Sequence, residues 1–362
     1  MMRLVLCFDG TSNGPMSART NVLKLWLSIE RNDSQLTFYD PGVGTLAPSG
    51  ALTTIGQVAN RSVDLATGVG LRENVLQAYR FLVDHWRPGD EVFMFGFSRG
   101  AYTARALCGM LHMVGLVDPG GENLVDYLWH IYSAKRGPKV TFERRMRVSS
   151  EIRALNHRVP VKLLGLWDTV SSWGWYFNFQ SLPFTSKCPD VESIRHAVAI
   201  DELRGAFKHN LFDHESNEDL QEVWFPGGHG DVGGGFEESE SGLSKVPLAW
   251  MYDQAEAHGL QLCRERVDKY LGGSNRPGRT QYAAPDPCGP MHDSVKGLWW
   301  ALEFIPRKMW DWRLKRHVLR ANNFRRRDPW GSSTLLHAAI GERVTRLNYR
   351  APGLVEPPEA PE

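Results

Sequence analysis

The stretch that most constrains the fold runs over residues 91–111 and reads EVFMFGFSRGAYTARALCGML. Its first part, residues 92–97, is a short apolar run rich in β-formers, which predicts a buried strand. The pentapeptide GFSRG follows, and residues 101–111 continue with small and apolar residues at helical spacing. A strand, a G-x-S-x-G turn and a helix in this order form a nucleophile elbow, which holds the serine hydroxyl above the sheet. We therefore predict that Ser98 is a nucleophile, with a plain glycine turn as the alternative.

Strands and helices alternate along the chain. Further apolar runs predict strands at residues 4–8, 36–39, 161–167 and 222–225, and helical patterns occupy residues 21–29, 71–86, 193–207 and 246–258. This alternation predicts an α/β fold of the α/β-hydrolase-like type, with a mostly parallel, doubly wound sheet and helices on both faces. Because ligands bind at the carboxyl ends of the strands in such sheets, we expect the functional site there.

The composition is that of a globular enzyme. Hydrophobic residues make up 42% of the chain and charged residues 23%, which allows a large core and excludes global disorder. The net charge of +1 gives no support for nucleic-acid binding. We predict a single catalytic domain over residues 1–350, an aromatic and basic lid or surface segment at 285–330, and a loose tail rich in proline and glutamate at 351–362.

Five scattered cysteines without a C-x-x-C pattern favour reduced thiols over a disulfide framework. The start, MMRLVLCFDGTSN, is typical of a first strand rather than a signal peptide, and no apolar run has the length of a transmembrane helix. We therefore expect a cytoplasmic location, with export by a dedicated secretion system left open. The sequence does not indicate an oligomeric state.

A serine nucleophile needs a base to take its proton and an acid to orient that base. In α/β-hydrolases these residues follow in the order serine, acid, histidine. Asp168 comes directly after the strand at 161–167, and His229 follows the strand at 222–225 in a glycine-rich loop. The order therefore predicts a catalytic triad of Ser98, Asp168 and His229. Asp201 and Asp231 remain alternatives for the acid, and helix capping is the structural alternative for Asp168.

The oxyanion of the reaction intermediate needs two hydrogen-bond donors. The backbone amide of Arg99, which follows the nucleophile, is one by the geometry of the elbow. For the other we consider the turn Asp9-Gly10-Thr11 after the first strand, with Gly10 and Thr11 as donors. A simple chain reversal, in which Asp9 caps the following segment, explains the same residues equally well.

Six segments resemble the α/β-hydrolase catalytic-domain family typified by type VI secretion phospholipase effectors. They are, in chain order, FDGTSN, YDPGVGT, GFSRGAYTARAL, LGLWDTVSSWGW, HAVAIDELRGAF and VWFPGGHGDVGGG. The resemblance implies that Ser98 is the nucleophile, Asp168 the acid and His229 the base. It also implies hydrolysis of carboxylic ester bonds, which in characterised members belong to membrane phospholipids. With serine as the nucleophile we expect an acyl-enzyme, and we expect neither a cofactor nor a metal. The chain lacks a long membrane-anchoring insertion, so the expected substrate is a lipid or a small-molecule ester.

One segment near the end of the chain combines aromatic and basic residues. Residues 298–313 read LWWALEFIPRKMWDWR, and Arg325, Arg326 and Arg327 follow. Tryptophan and cationic side chains suit a membrane interface, which predicts weak contact with a membrane surface. We favour the alternative in which the tryptophans pack against the main sheet and the arginines form a solvated face. A lid over the substrate channel is a third interpretation.

Two other classes of function remain open. Asp9, Asp168, His229 and Asp231 could converge as oxygen and imidazole ligands of a metal-dependent phosphoesterase. A catalytically silent binding module that keeps the fold is the other class. The complete set of serine, acid and histidine argues against this second class, because a module without chemistry has no physical need for the elbow.

Overall fold

The computed structural model describes residues 1–10, 19–42, 69–134, 141–170, 174–175, 178–179, 181–273, 281–295, 300, 303–311, 316–327, 329 and 335–352. The described strands are β1 (Arg3–Phe8), β2 (Gln35–Asp40), β3 (Glu91–Phe97), β4 (Val161–Trp167), β5 (Gly174–Trp175), β6 (Asn178–Phe179), β7 (Val191–Ala199), β8 (Leu220–Phe225), β9 (Arg307–Asp311), β10 (Arg316–Arg320) and β11 (Leu335–Leu336). Seven of them form one sheet in the order β11-β8-β7-β4-β3-β1-β2, and every pair in it is parallel. Two short antiparallel hairpins, β5–β6 and β9–β10, lie outside this sheet.

Helices cover both faces of the sheet. Their described bounds are α1 (Asn21–Ser28), α2 (Val69–His85), α3 (Arg99–Val114), α4 (Val125–Ser133), α5 (Phe142–Arg153), α6 (His229–Gly233), α7 (Gly242–Ala257), α8 (Arg264–Tyr270) and α9 (Ala338–Leu347). Helices α2, α3 and α4 share one apolar cluster with the sheet, and α1, α7 and α8 share a second. None of the helices in the described part of the chain combines the length and the apolar character that crossing a bilayer requires.

The strand β1 shows why the central strands are apolar on both sides. Leu4, Leu6 and Phe8 belong to the first cluster, whereas Val5 and Cys7 belong to the second. Successive side chains of a strand point to opposite faces, so a strand covered by helices on both faces has to be apolar throughout. The predicted doubly wound α/β fold is confirmed.

The prediction of a helix at residues 193–207 is wrong. The chain forms the central strand β7 over Val191–Ala199, and a short 3-10 turn follows at Gly205–Phe207. The polar residues that made the segment look amphipathic are buried and paired: Arg195 donates to Asp219, and His196 contacts Glu222 at 2.8 Å. Because those partners come from other segments, the periodicity of this segment alone could not show that a strand buries polar residues here.

Candidate active site

Ser98 lies at the sharp turn between β3 and α3. Its backbone has φ 58° and ψ −120°, in a region that residues with a side chain rarely adopt. Such strain persists only where the surrounding structure enforces it. Here the Ser98 amide donates to the carbonyl of Trp167 at 3.0 Å, which links the turn to the end of the neighbouring strand β4.

The two glycines of the pentapeptide are required by close backbone contacts. A Cβ atom on Gly96 would lie 2.6 Å from the Cα of Ala101, and one on Gly100 would lie 2.2 Å from the carbonyl oxygen of Phe8. Both distances are far inside van der Waals contact, and the atoms met are backbone atoms that cannot move aside. The glycines therefore let the first turn of α3 approach both β3 and the end of β1.

Three side chains form a hydrogen-bonded chain at the carboxyl ends of the strands. His229 Nε2 lies 2.8 Å from Ser98 Oγ, and His229 Nδ1 lies 2.5 Å from Asp168 Oδ2. Because a carboxylate can only accept, Nδ1–H donates to Asp168, which leaves Nε2 of a neutral imidazole to accept from the Ser98 hydroxyl. All three residues are buried. This arrangement can transfer a proton from the serine to the histidine.

The position of His229 is set by its backbone and by two aromatic rings. It is the first residue of α6, and its backbone amide donates to Glu202 Oε2 at 3.1 Å. The imidazole lies between Phe97, at 4.6 Å between ring centroids, and Phe207, at 4.9 Å. Although burial disfavours its charge, Arg204 outweighs that effect and lowers the pKa of Glu202, so this carboxylate stays ionised.

Asp168 follows β4 and has a positive φ of 38°. Its Oδ1 accepts from the backbone amide of Ala199 at 3.0 Å. The guanidinium of Arg327 donates to both carboxylate oxygens, through Nη1 to Oδ1 and through Nη2 to Oδ2 at 3.1 Å. Burial alone would favour the neutral acid, but Arg327 and His229 outweigh it and hold the pKa of Asp168 well below its usual range.

The two rival acids contact other groups in the structure. Asp201 accepts hydrogen bonds from the Gly227 amide at 2.8 Å and from the hydroxyl of Tyr349 at 2.5 Å. Asp231 accepts from the Gly228 amide at 2.9 Å and lies 2.6 Å from Nδ1 of His292. Both therefore hold the loop around residues 227–231 in place, whereas the side chain that contacts the imidazole of His229 is that of Asp168.

The turn after β1 lies beside the elbow. Asp9 is buried and accepts from the hydroxyls of Thr20, at 2.6 Å, and Tyr39, at 2.7 Å. Its other oxygen accepts from the Gly10 amide at 2.6 Å, so this amide has a partner within the turn. Thr11, the other expected donor, lies outside the described residues. Arg99 is the first residue of α3, so its backbone amide lies at the helix N-terminus, the position expected of the first oxyanion donor.

The four residues considered for a metal do not form a cluster. Among the described residues, no three His, Cys, Asp or Glu side chains are grouped as a metal ion would require. Asp168 and His229 pair with each other, while Asp9 and Asp231 have the separate partners given above. Binding a metal at Asp168 would also displace Arg327 from both carboxylate oxygens.

Three residues at this site are not among those predicted from the sequence, namely Arg327, Glu202 and Phe207. The prediction that Arg327 lies with its neighbours on a solvated or membrane-facing surface is wrong, because Arg327 is 6% exposed, whereas Arg325 and Arg326 are exposed. No local pattern separates Arg327 from the other two arginines. Its role depends on a contact between residues 159 positions apart in the chain.

The aromatic segment exposes a cluster of rings. Trp300 is 57% exposed and Phe304 48%, and their ring centroids lie 5.0 Å apart. Phe324 contacts both rings. The expectation that the tryptophans pack against the main sheet is therefore wrong for Trp300, while Trp299 and Trp312 lie outside the described residues.

The parallel sheet, the helices on both faces and the elbow between β3 and α3 define the chain as an α/β-hydrolase-like protein. Comparison with known protein families identifies the family within this class. Residues 2–254 match the family described as "T6SS, Phospholipase effector Tle1-like, catalytic domain". The chain belongs to this family of hydrolases.

Individual relatives cover only part of this chain. The uncharacterised protein YEL023C of Saccharomyces cerevisiae is 35% identical over 223 residues, which are 58% of this chain and 32% of the relative. The chain thus spans about a third of the length of that curated relative. Among solved structures, an uncharacterised protein from Pseudomonas aeruginosa is 19% identical with a TM-score of 0.41, covering 72% of this chain and 46% of the other. The Tle1 effector bound to the VgrG spike of the type 6 secretion system is 19% identical with a TM-score of 0.36, covering 67% and 52%.

Proposed function

We propose that the protein is a serine hydrolase that cleaves carboxylic esters with Ser98 as nucleophile, His229 as general base and Asp168 as the acid that orients it. The observation that carries this proposal is the continuous hydrogen-bonded chain from Ser98 through His229 to Asp168, at 2.8 Å and 2.5 Å, on a strained elbow. Strained backbone at a buried serine in contact with a histidine is the arrangement that activates a nucleophile.

In the first half of the reaction, Ser98 Oγ attacks the ester carbonyl while its proton moves to His229 Nε2. The tetrahedral intermediate collapses when His229 returns that proton to the leaving alcohol, which leaves an acyl-enzyme. In the second half, a water molecule gives its proton to His229 and attacks the acyl group, so that the acid product leaves and Ser98 regains its proton. Each step needs the imidazole to alternate between neutral and protonated forms beside an ionised Asp168.

The developing oxyanion needs donors at the end of the elbow. We propose the backbone amide of Arg99, at the start of α3, as the first of them, because the N-terminus of a helix also favours negative charge. The second comes from the turn at Gly10 and Thr11. For the Gly10 amide to serve, it has to leave its hydrogen bond with the Asp9 carboxylate when the substrate binds.

We propose that the ester belongs to a lipid, and specifically to a phospholipid acyl chain. Membership of the phospholipase effector-like family supports a lipid substrate. The exposed rings of Trp300 and Phe304 contact Phe324, which directly precedes the exposed Arg325 and Arg326 in the chain. Aromatic and cationic side chains together suit a surface of anionic headgroups. Weak contact with such a surface would bring the lipid substrate close to the site.

Residues from both the first and the last parts of the chain contribute to the site. We propose that residues 1–350 work as one catalytic unit, with residues 285–330 as a lid or surface segment, because Ser294 donates to Glu202 and Arg327 donates to Asp168. The loose tail was expected at residues 351–362, but Ala351 and Pro352 are buried, and residues 353–362 lie outside the described residues. The five cysteines are free thiols, which supports work in the reducing cytoplasm, with export as the alternative.

Labelling with a fluorophosphonate probe tests the proposal directly, because such a probe reacts with an activated serine. We expect one modified residue, mapped by mass spectrometry to Ser98, and loss of both labelling and ester hydrolysis in Ser98→Ala. Ser150→Ala, at an exposed serine on α5, should retain both. Substantial ester hydrolysis by purified Ser98→Ala would contradict the proposal. Release of fatty acid from phosphatidylglycerol vesicles, compared with hydrolysis of a short soluble ester, then separates lipid from small-ester substrates.

A further inference from the structure

We propose that Arg327 is a positioning residue of the catalytic site: its guanidinium fixes the Asp168 carboxylate and offsets its charge, and so sets how readily His229 accepts a proton. This inference rests on the proposed function, since it concerns the same triad. Arg327 lies beyond residues 2–254, the part of the chain that matches the family, and none of the six motif segments contains it.

The contact is a bidentate one between a planar guanidinium and a carboxylate. Nη1 and Nη2 of Arg327 each donate to a different oxygen of Asp168. The same two nitrogens donate to the carbonyls of Ala199, at 2.8 Å, and Phe207. Arg327 is therefore held by backbone groups on both sides, and only a fork of this shape can make all four contacts at once.

The carboxylate in turn has its acceptor positions filled. Oδ1 accepts from the Ala199 amide and from Arg327, and Oδ2 accepts from His229 and from Arg327. The side chain of Asp168 is fully buried and that of Arg327 is 4% exposed, so water contributes little to holding the carboxylate in place. Rotation of the carboxylate would break several of these bonds together, so the Nδ1–H of His229 has a fixed acceptor.

The charge of Arg327 has a second effect. In a serine hydrolase the ionised acid stabilises the imidazolium that forms during reaction. A buried cation on the same carboxylate opposes that stabilisation, because it repels the imidazolium and shares the negative charge. The contact with Arg327 therefore fixes the orientation of the Asp168 carboxylate and at the same time offsets its negative charge.

Two of the other charged groups around His229 also respond to Arg327, which helps to lower the pKa of both Glu202 and His209. The groups that face His229 or its immediate partners are Glu202, Arg204, His209, Asp231 and His292. Burial and Arg327 lower the pKa of His209 to about 3, so its ring is neutral above that pH. Asp231 and His292 pair with each other and make no contact with Arg327, so wild type and Arg327 variants share their contribution.

Two substitutions separate the effect of the positive charge of Arg327 from the effect of its forked hydrogen-bonding geometry. Arg327→Gln removes the cation, and we expect the acidic limb of the kcat/KM profile to move to higher pH by roughly one unit or more, because a nearby charge shifts a titration by that amount. Arg327→Lys keeps a cation but not the fork, so we expect a lower kcat with the acidic limb close to that of wild type. A residue that only stabilised the fold would lower the amount of active enzyme without moving the limb.

Arg195→Gln is the matched control. Arg195 is also a buried arginine, 5% exposed, that pairs with a carboxylate, Asp219. Its further hydrogen bonds go to Gln254, His258 and the Ile194 carbonyl rather than to the triad. This variant should lose stability while its acidic limb stays in place. Circular dichroism and urea unfolding establish that each variant is folded at the assay temperature before its profile is compared.

A second measurement does not depend on turnover. In the Ser98→Ala background, NMR titration of the His229 ring should show protonation at higher pH when Arg327→Gln is added. Folded Arg327→Gln with an unmoved limb and an unmoved titration would overturn the proposal. So would Arg327→Lys with the kcat of wild type, which also covers the case in which Arg327→Gln does not fold. If wild type shows no serine-dependent hydrolysis, the proposed function fails, whereas the NMR titration still decides the role of Arg327.

Discussion

The carbonyl oxygen of Phe8 lies 2.2 Å from the point where a Cβ atom on Gly100 would be. The end of β1 and the first turn of α3 thus contact each other backbone to backbone. This contact places the turn after β1 next to the nucleophile, which is where an oxyanion donor is needed. Even the methyl group of an alanine at position 100 would therefore disturb the elbow.

Gly100→Ala should therefore destabilise the fold and displace Ser98. Overpacking a tight site typically costs about 1–3 kcal/mol, and we expect the upper part of that range because the blocking atom belongs to the backbone. Urea unfolding and ester hydrolysis measure the two effects. Gly341→Ala is the control: this glycine lies within α9 with no atom within 4 Å of an added Cβ, so alanine should stabilise the helix by up to about 1 kcal/mol. Equal stability of Gly100→Ala and wild type would refute the interpretation.

Asp168→Asn should lower kcat by about 10³- to 10⁴-fold in the folded protein, because the amide no longer fixes the tautomer of His229. It should also lower stability by about 3–5 kcal/mol, since the buried Arg327 loses its counter-charge. Rates are therefore compared per folded molecule, with the folded fraction taken from circular dichroism. Asp231→Asn is the comparison, because Asp231 contacts His292 rather than His229. A catalytic collapse in Asp231→Asn with little effect in Asp168→Asn would show that the acid is misassigned.

Glu222 should make stability depend on acidic pH. Burial favours its neutral form, but contacts with His196 and His214 outweigh it and lower its pKa from 4.5 to about 2. Because the folded-state pKa lies below the unfolded value, the carboxylate stabilises the fold above pH 4.5, and this contribution is lost as the pH falls toward 2. Glu222→Gln should therefore lower the free energy of unfolding by on the order of 3 kcal/mol at neutral pH.

The difference in the free energy of unfolding between Glu222→Gln and wild type should become smaller when urea unfolding is repeated near pH 3. Glu192→Gln provides the surface counterpart, because Glu192 is 50% exposed at its side chain and pairs with Lys162. That variant should change stability by less than about 1 kcal/mol at either pH. If the loss of unfolding free energy in Glu222→Gln were the same at neutral and acidic pH, the ionised carboxylate would not be the cause of that loss.

The exposed rings predict weak binding to anionic vesicles. We expect partial co-sedimentation with phosphatidylglycerol vesicles at low salt, reduced at high salt as the charges of Arg325 and Arg326 are screened. Trp300→Ala should weaken the binding without a large change in stability, because Trp300 is 57% exposed. Tyr127→Ala, at a tyrosine 58% exposed on α4, should bind as wild type does. Binding that is unaffected by both salt and Trp300→Ala would argue against this surface.

Chelation should leave ester hydrolysis largely unchanged. The two residues that a metal mechanism would share with the triad, Asp168 and His229, already contact each other, and Arg327 contacts both oxygens of Asp168. Activity before and after EDTA treatment and buffer exchange measures this. Loss of activity that added divalent metal restores would favour the metal-dependent phosphoesterase.

The order of secondary structure could be predicted because it depends on short-range patterns. Continuous apolar runs such as those of β3 and β4 require burial on both faces, and the glycines around Ser98 have a purely local backbone reason. The choice of Ser98, Asp168 and His229 followed from chain order at the ends of strands, and the structure places these three side chains in contact. Their catalytic roles stay a prediction until Ser98 is labelled.

The tertiary structure alone decided which distant charges meet. The helix predicted over residues 193–207 is the strand β7, because the partners that make its polar side chains tolerable come from other segments, as Glu222 does for His196. Arg327 and Arg326 are neighbours with the same side chain, yet one is buried on Asp168 and the other is exposed. Hydrophobic periodicity reports what a residue can bury against its own neighbours in the chain, whereas the pairing of buried charges depends on which loops the folded sheet brings together.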